Sequence, residues 1–321
     1  MLKIVVQKTA RLLVSGFFMG NIFLTGCAAL QTEQLLLNKD NYPQHLELSD
    51  VAFFAQEQYQ CGPAALAMVL QAEKNNVTPD ELVAKIFLPN RKGSLQIEIL
   101  ATARQYEVIP YVLNKSMADL LTEVQANHPV MILQNLGLSW LPKWHYAVVI
   151  GFDFTTSEMI LRSGIEAHHR VPMKVFERTW ARSDYWAVVM LAPETLPKTV
   201  DANRYIEAVA SLERMHKFEI SKAGYKTALQ QWPDNLTALM GLGNSYAALQ
   251  DYANAAVIFR EATLLHPQAG DAFNNLADTL LHLYRYAEAM AAIRVAVDLG
   301  GQHKDIYLNT LQTIEENPEV P

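Results

Sequence analysis

Pro233 and Pro267 stand 34 residues apart, and the chain around them repeats at that interval. Counting back from Pro267 marks a unit from Leu236 to Ala269. In it Leu239, Leu242, Gly243, Tyr246, Ala255, Phe259, Ala262 and Pro267 mix small and large side chains at fixed places. A unit of this length with helical periodicity is two helices and a turn. It cannot bury its apolar face alone and has to stack on copies of itself. Gly243 and Ala255 let the two helices approach, and the large residues fill the space around them. The next unit, Gly270 to His303, keeps Phe273, Leu276, Ala277, Ala289, Ile293 and Ala296, with Gly301 in the proline's place. The preceding unit, Ala202 to Asn235, keeps Tyr205, Leu212, Tyr225, Ala228 and Pro233, with Val209 and Ser221 at the small positions. "KDIYLNTLQTIEENPEVP" adds a last helix and a frayed end.

These places resemble the tetratricopeptide repeat. Residues 202–321 are therefore expected to form an all-α domain of about three repeats plus a C-terminal helix, its outer repeats atypical as caps. The alternative is a generic helical bundle. Three repeats make a short concave surface of the kind that binds a peptide or protein partner and carries no chemistry. Before it, "APETLPKTVDAN" holds two prolines and few apolar residues, so 193–201 reads as a linker. A chain of 321 residues, half hydrophobic and only 18% charged, has room for a second globular domain ahead of that linker.

The N-terminus reads as an export signal rather than as fold. Lys3, Lys8 and Arg11 precede an apolar run from about Leu12 to Leu24, with no acid before Glu33. The run is too short to span a bilayer and suits a signal peptide over 1–26. It ends in Leu24-Thr25-Gly26-Cys27, which resembles a bacterial lipobox, so Cys27 is the expected lipidation site and the first mature residue. An ordinary signal peptide with a chance cysteine is the alternative. Ala28, where retention in the inner membrane would use Asp, favours an outer-membrane lipoprotein facing the periplasm. A triacylated cysteine carries more than one chain, as stable anchoring requires. Residues 27–48 then read as an N-terminal tether. Cleavage removes three basic residues and no acid, leaving 23 basic against 33 acidic, a balance of −10. That charge argues against a general nucleic-acid binder.

With Cys27 acylated, Cys61 is the one thiol left, and an unpaired thiol in an oxidising compartment has to be buried or used. It stands in "QEQYQCGPAALAMVL", where Gly62-Pro63 reads as a helix start. Thr78 is expected to cap a helix from Pro79 to about Phe87, Ser94 a third helix, and Ser116 with Asp119 a helix to about Ala126. Strands follow: "EVIPYVL", "PVMILQN", "HYAVVIGFD", "EMILRSG" and "WAVVMLA". Helices followed by a mostly antiparallel sheet make residues 49–192 an α+β domain. A helix N-terminus is expected to stabilise the Cys61 thiolate and lower its pKa. Of His45, His128, His145, His168 and His169, His145 is best placed as its base, at the start of an apolar strand. The alternative is an exposed or capping histidine.

"QEQYQCGPAALAMVL", then "PVMILQN", then "WHYAVVIGFD" resembles the papain-like bacteriocin-processing cysteine peptidases, which trim double-glycine leaders. The resemblance covers about Asp50 to Leu191, with Cys61 and His145 84 residues apart. It implies a papain-like fold with Cys61 as nucleophile, His145 as base and proton donor, and Gln56 as oxyanion donor beside the Cys61 N–H. Gln58 and Gln60 compete with Gln56 for that role. The family's third member is an aspartate on the strand after the histidine. Here Arg162 or Ser163 falls near that place, and neither is a carboxylate. Ser163 is the tentative orienter, since Asp153 lies roughly 26 Å along the histidine's own strand at about 3.3 Å per residue.

The favoured reading is a lipid-anchored periplasmic thiol peptidase, its repeats holding substrate or partner. A catalytically impaired adaptor acting through its repeats is the second, and acyl or amide transfer through the same thiol the third. No phosphate-binding Gly-x-x-x-x-Gly-Lys-Ser/Thr loop appears, so no ATPase is expected. No cofactor and no metal is expected either, His168-His169 being too sparse a pair for zinc.

Overall fold

A computed structural model of the chain describes residues 29–55, 60–91 and 93–316. The expected lipidation site Cys27, the expected oxyanion donor Gln56 and its competitor Gln58 lie outside the described residues.

The first domain is built around one helix, α2 (Cys61–Ala72). Every residue from Gly62 to Leu70 is buried. A helix apolar on all sides can only be a central one, and α2 lies against the sheet and the helices α3 (Pro79–Ile86) and α4 (Gln96–Ala103). Truncating Leu66 in such a site would cost roughly 2–5 kcal/mol. The Thr78 cap forms as a capping box with Glu81. Ser116 Oγ accepts from the Asp119 N–H at the start of α5 (Met117–Gln125). The Ser94 cap does not form. The N-cap of α4 is Leu95, and Ser94 is turned elsewhere.

All pairings in the sheet are antiparallel. Its strands are β1 (His45–Glu47), β2 (Ile109–Val112), β3 (Val130–Asn135), β4 (Trp144–Asp153), β5 (Glu158–Ser163), β6 (Glu166–Pro172) and β7 (Ala187–Leu191). The order is β2-β7-β3-β4-β5-β6, with β1 pairing β4 beside it. The helix α6 (Met173–Ala181) packs against β3 and β6. Within the stretch read as a tether, α1 (Leu30–Leu37) is a docked helix. Its Gln31 and Thr32 N–H groups donate to the carboxylate of Glu177 on α6 at 3.1 and 2.7 Å. The first turn of α1 is thus satisfied by a buried carboxylate from across the chain, an N-terminal charge match.

The second domain keeps the 34-residue period to the residue. Its helices α7 (Ala202–Arg214), α9 (Leu236–Ala248), α11 (Gly270–His282) and α13 (Lys304–Glu316) each begin 34 after the last. So do α8 (Phe218–Gln231), α10 (Tyr252–Leu265) and α12 (Tyr286–Leu299). A Cβ on Gly243 would lie 2.4 Å from the Phe259 ring, so the expected close approach is real.

The segment between the domains is pinned rather than loose. Tyr205 and Thr227 hydroxyls donate to Pro193 O, and Thr199 donates from both its N–H and its hydroxyl to Glu123. The Asp201 N–H donates to the Tyr111 hydroxyl. Ile109 and Tyr111 share one buried cluster with Tyr205, Val209 and Tyr225, so one core crosses the joint, while the later repeats have clusters of their own. Its prolines mark a bend that tertiary hydrogen bonds hold in place.

Candidate active site

Cys61 opens α2, so its side chain stands where the helix meets the surface, and His145 is the second residue of β4. Both line one open cavity of about 1080 Å³, together with Ser94, Tyr146, Gly164 and Arg182. Cys61 and His145 are 84 residues apart in sequence, and the fold brings both to one cavity.

His145 Nε2 is 2.8 Å from Ser163 Oγ. Ser163 ends β5, next to β4 in the sheet, where the register turns it toward His145 from two positions along. In the tautomer whose Nε2–H donates to Ser163, Nδ1 is bare and free to take the thiol proton. Ser163 thus occupies the orienter's place. Arg162 points away. Its guanidinium donates to Val51 O at 3.2 and 2.9 Å and to Ser49 O at 3.1 Å, and it also reaches Ala167 O. It anchors the stretch leading toward Cys61. Asp153 sits at the far end of β4, occupied by the Thr155 and Thr156 N–H groups and by Arg170. The remaining histidines of the domain pair with carboxylates elsewhere: His45 with Asp153, His128 with Glu123, His168 with Glu47, His169 with Glu166.

The thiol does not follow expectation. Burial pushes Cys61 up from its ordinary value, and the backbone N–H groups of Tyr146, Gly62 and Cys61 itself pull it only part of the way back. Desolvation of a charge in an apolar pocket outweighs a helix N-terminus here. His145 is pushed down to about 4, first by burial and then by His169 and Lys143. At neutral pH each group taken singly is uncharged, so the cavity holds a neutral thiol and a neutral imidazole at rest.

Ser94 is the residue that composition and spacing miss. Its hydroxyl is buried with no hydrogen-bond partner among the described residues, and it lies against the cysteine's helix. A Cβ on Gly62 would meet Ser94 Oγ at 2.5 Å, so glycine after the cysteine is what admits the serine. The Tyr146 hydroxyl holds Ser94 O at 3.2 Å. A buried hydroxyl left unpaired costs free energy unless something binds it. No sequence pattern marks Ser94, because its role comes from the loop and not from a neighbour in the chain.

Comparison with known proteins identifies both parts of the chain. Residues 48–188 match the Peptidase_C39 like family, and residues 206–263 and 258–303 match the tetratricopeptide repeat. The chain therefore carries a C39-like domain followed by tetratricopeptide repeats. No curated protein matches it. Among solved structures it is similar to a C39-like peptidase from Bacillus anthracis, at 21% identity and a TM-score of 0.40 over 46% of this chain and 98% of that one. It is similar to a double glycine motif protease from an AMS/PCAT transporter in complex with the leader peptide, at 21% identity and a TM-score of 0.32 over 44% and 91%. The Sgt2 tetratricopeptide-repeat domain from Aspergillus fumigatus is 18% identical, with a TM-score of 0.35 over 37% and 86%.

Proposed function

We propose that this chain, which joins a C39-like domain to tetratricopeptide repeats, is a thiol peptidase anchored by lipid on Cys27 in the bacterial envelope, facing the periplasm. The observation that carries the reading is that Cys61 and His145 line one cavity, with the far nitrogen of His145 held by Ser163.

The chemistry follows from a neutral pair. As Cys61 Sγ attacks a peptide carbonyl carbon, its proton passes to His145 Nδ1, so that thiolate and imidazolium form together and each stabilises the other. The developing oxyanion takes the Cys61 N–H and the amide of Gln56. The C–N bond breaks as His145 returns the proton to the leaving amine, which leaves a thioester on Cys61. Water then gives a proton to His145, attacks the thioester, and the thiol is regenerated. Ser163 keeps the imidazole in the productive tautomer without adding charge. The repeats present the peptide or protein partner.

Comparing the termini of envelope proteins in wild-type and Cys61→Ala strains tests this. The reading expects at least one terminus that disappears in the variant and returns with the wild-type gene. Identical termini would sink it. A second reading is favoured by one specific observation. A serine replaces the carboxylate behind His145, and the thiol is pushed up, as in a domain that binds peptides and no longer cuts them. Under that reading the Cys61→Ala strain behaves as wild type, and loss of the repeats alone changes the cell.

A further inference from the structure

The turn between β3 and β4, residues 136–143, is the most apolar exposed surface of the first domain. Leu136, Leu138, Trp140, Leu141 and Trp144 are 47, 52, 78, 64 and 52% exposed. Soluble surfaces rarely show so many large apolar side chains together. The hairpin is nevertheless well ordered. Leu138 and Leu141 exchange both backbone hydrogen bonds at 3.1 Å, and Asn135 Oδ1 accepts from the Gly137 and Lys143 N–H groups at 2.9 Å each. Arg182 donates to Asn135 O at 3.2 Å and to Gly137 O at 2.7 Å, holding the hairpin at the end of α6. A rigid hairpin with apolar tips is built to enter something apolar.

The anchored end of the chain approaches the same place. Along α1, Glu33 meets Lys174, the Gln31 and Thr32 N–H groups meet Glu177, and the Gln31 side chain reaches Lys115 O at 3.1 Å. Lys115 in turn pairs with Asp184. The first turn of α1 thus spans α6 from Met173, whose carbonyl accepts from the Thr32 hydroxyl at 3.3 Å, to Glu177, and touches the start of α5, where the Met117 N–H donates to Gln31 Oε1 at 2.7 Å. Glu177 and Arg182 are five residues apart, about 7.5 Å of helix. Only two peptide links separate Cys27 from Ala29, the first described residue, a reach of about 7 Å. The local charge fits an anionic surface. In a chain of net charge −7, residues 124–152 hold no Asp or Glu, and Lys143 and Arg182 flank the hairpin.

We propose that the 136–143 hairpin dips into the interfacial region of the membrane, with leucine and tryptophan side chains at headgroup depth and Lys143 and Arg182 beside the phosphates. This rests on the lipid-anchor reading for the side of the domain that faces the membrane. Trp140 is suited to that depth, since its ring is apolar and its N–H can stay wet. The catalytic cavity, lined by Trp144 and Lys143 at the base of the same hairpin, then opens at the membrane surface. The substrate class follows: a peptide segment at or just outside the bilayer.

The test uses the mature full chain with Cys27→Ser, so that acylation contributes nothing. It is mixed with vesicles of phosphatidylethanolamine and a minority of phosphatidylglycerol, some acyl chains brominated. Tryptophan emission is expected to be quenched by the brominated lipid. The Leu138→Ser/Leu141→Ser variant keeps both hairpin tryptophans and should bind about 30-fold more weakly, with the quenching lost. Unquenched tryptophans in the parent, or equal binding by the variant, would overturn the proposal. So would a variant that keeps vesicle binding but loses cleavage of a protein substrate, or a parent that dimerises through the hairpin. The intact mass of the exported wild-type protein reads the anchor separately. Acyl mass on Cys27 with unquenched tryptophans fails the hairpin alone, and quenching without acyl mass fails the anchor alone.

Discussion

At the joint between the two domains a fully buried carboxylate is answered, although Arg104 Nε, facing Glu207 and Arg214, has no partner among the described residues. Glu123 is fully buried, yet His128 bonds it at 2.8 Å and Thr199 twice, at 2.7 and 2.8 Å. Burial alone would push its carboxyl up, and these hydrogen bonds outweigh that and hold it below the ordinary range. At the Cys61 cavity the same kinds of group are left poised. Cys61 and His145 are half-buried and uncharged, Ser94 Oγ has no partner among the described residues, and apolar side chains stand in solvent on the rim. Around Glu123 the chain completes its hydrogen bonds. At the cavity it leaves them open, at a cost in stability.

The contrast can be broken at either region. Glu123→Ala should have the largest effect, destabilising the protein by about 3 kcal/mol because it empties a fully buried site and orphans the half-buried Thr199 donors and His128. A denaturant midpoint measures this, and a loss under about 1 kcal/mol would deny the joint its role. Acid should act at the cavity next. His145 is held down to about 4, so from pH 6.5 downward the unfolded chain takes up a proton that the folded chain refuses. This contribution is absent above pH 6.5. It removes about 3 kcal/mol as the pH falls toward 4, and His145→Gln should flatten that part of the stability profile. Glu123 adds acid sensitivity lower down, below its unfolded carboxylate range.

Ser163→Ala should lower kcat/KM about tenfold, mostly in kcat, because the imidazole loses its tautomer preference and not its base. Ser163→Asp should raise the His145 pKa and bring the thiol into an ion pair, seen as faster alkylation of Cys61 at neutral pH. The smallest effect is expected at Ser94. Ser94→Ala removes an orphaned hydroxyl and should stabilise the protein by about 1 kcal/mol while weakening substrate use. If both properties fell together, Ser94 would be structural.

Much of this was legible in the chain. The 34-residue spacing of Pro233 and Pro267 marks the start of the first helix in each repeat, because stacking repeats enforce a common geometry. Gly62-Pro63 and the apolar run after it announced a central helix, and the sheet register explains why Ser163, not Arg162 or Asp153, faces His145. What was missed lacks a local signal. Strand β6 alternates half-buried and exposed residues and contains two histidines, so it does not read as apolar alternation. Helix α1 is held by Glu177 from 145 residues away, and the direction of the thiol's pKa depends on how deeply the fold buries it.

The account stands or falls on Cys61 acting as a nucleophile that needs His145. A library of peptidyl acyloxymethyl ketones, read by intact mass, measures this directly. The expected result is one adduct, on Cys61, forming at least about 100-fold more slowly in His145→Ala and absent in Cys61→Ala. Equal rates in the His145→Ala variant, or no adduct on Cys61 with any member of the library, would contradict it.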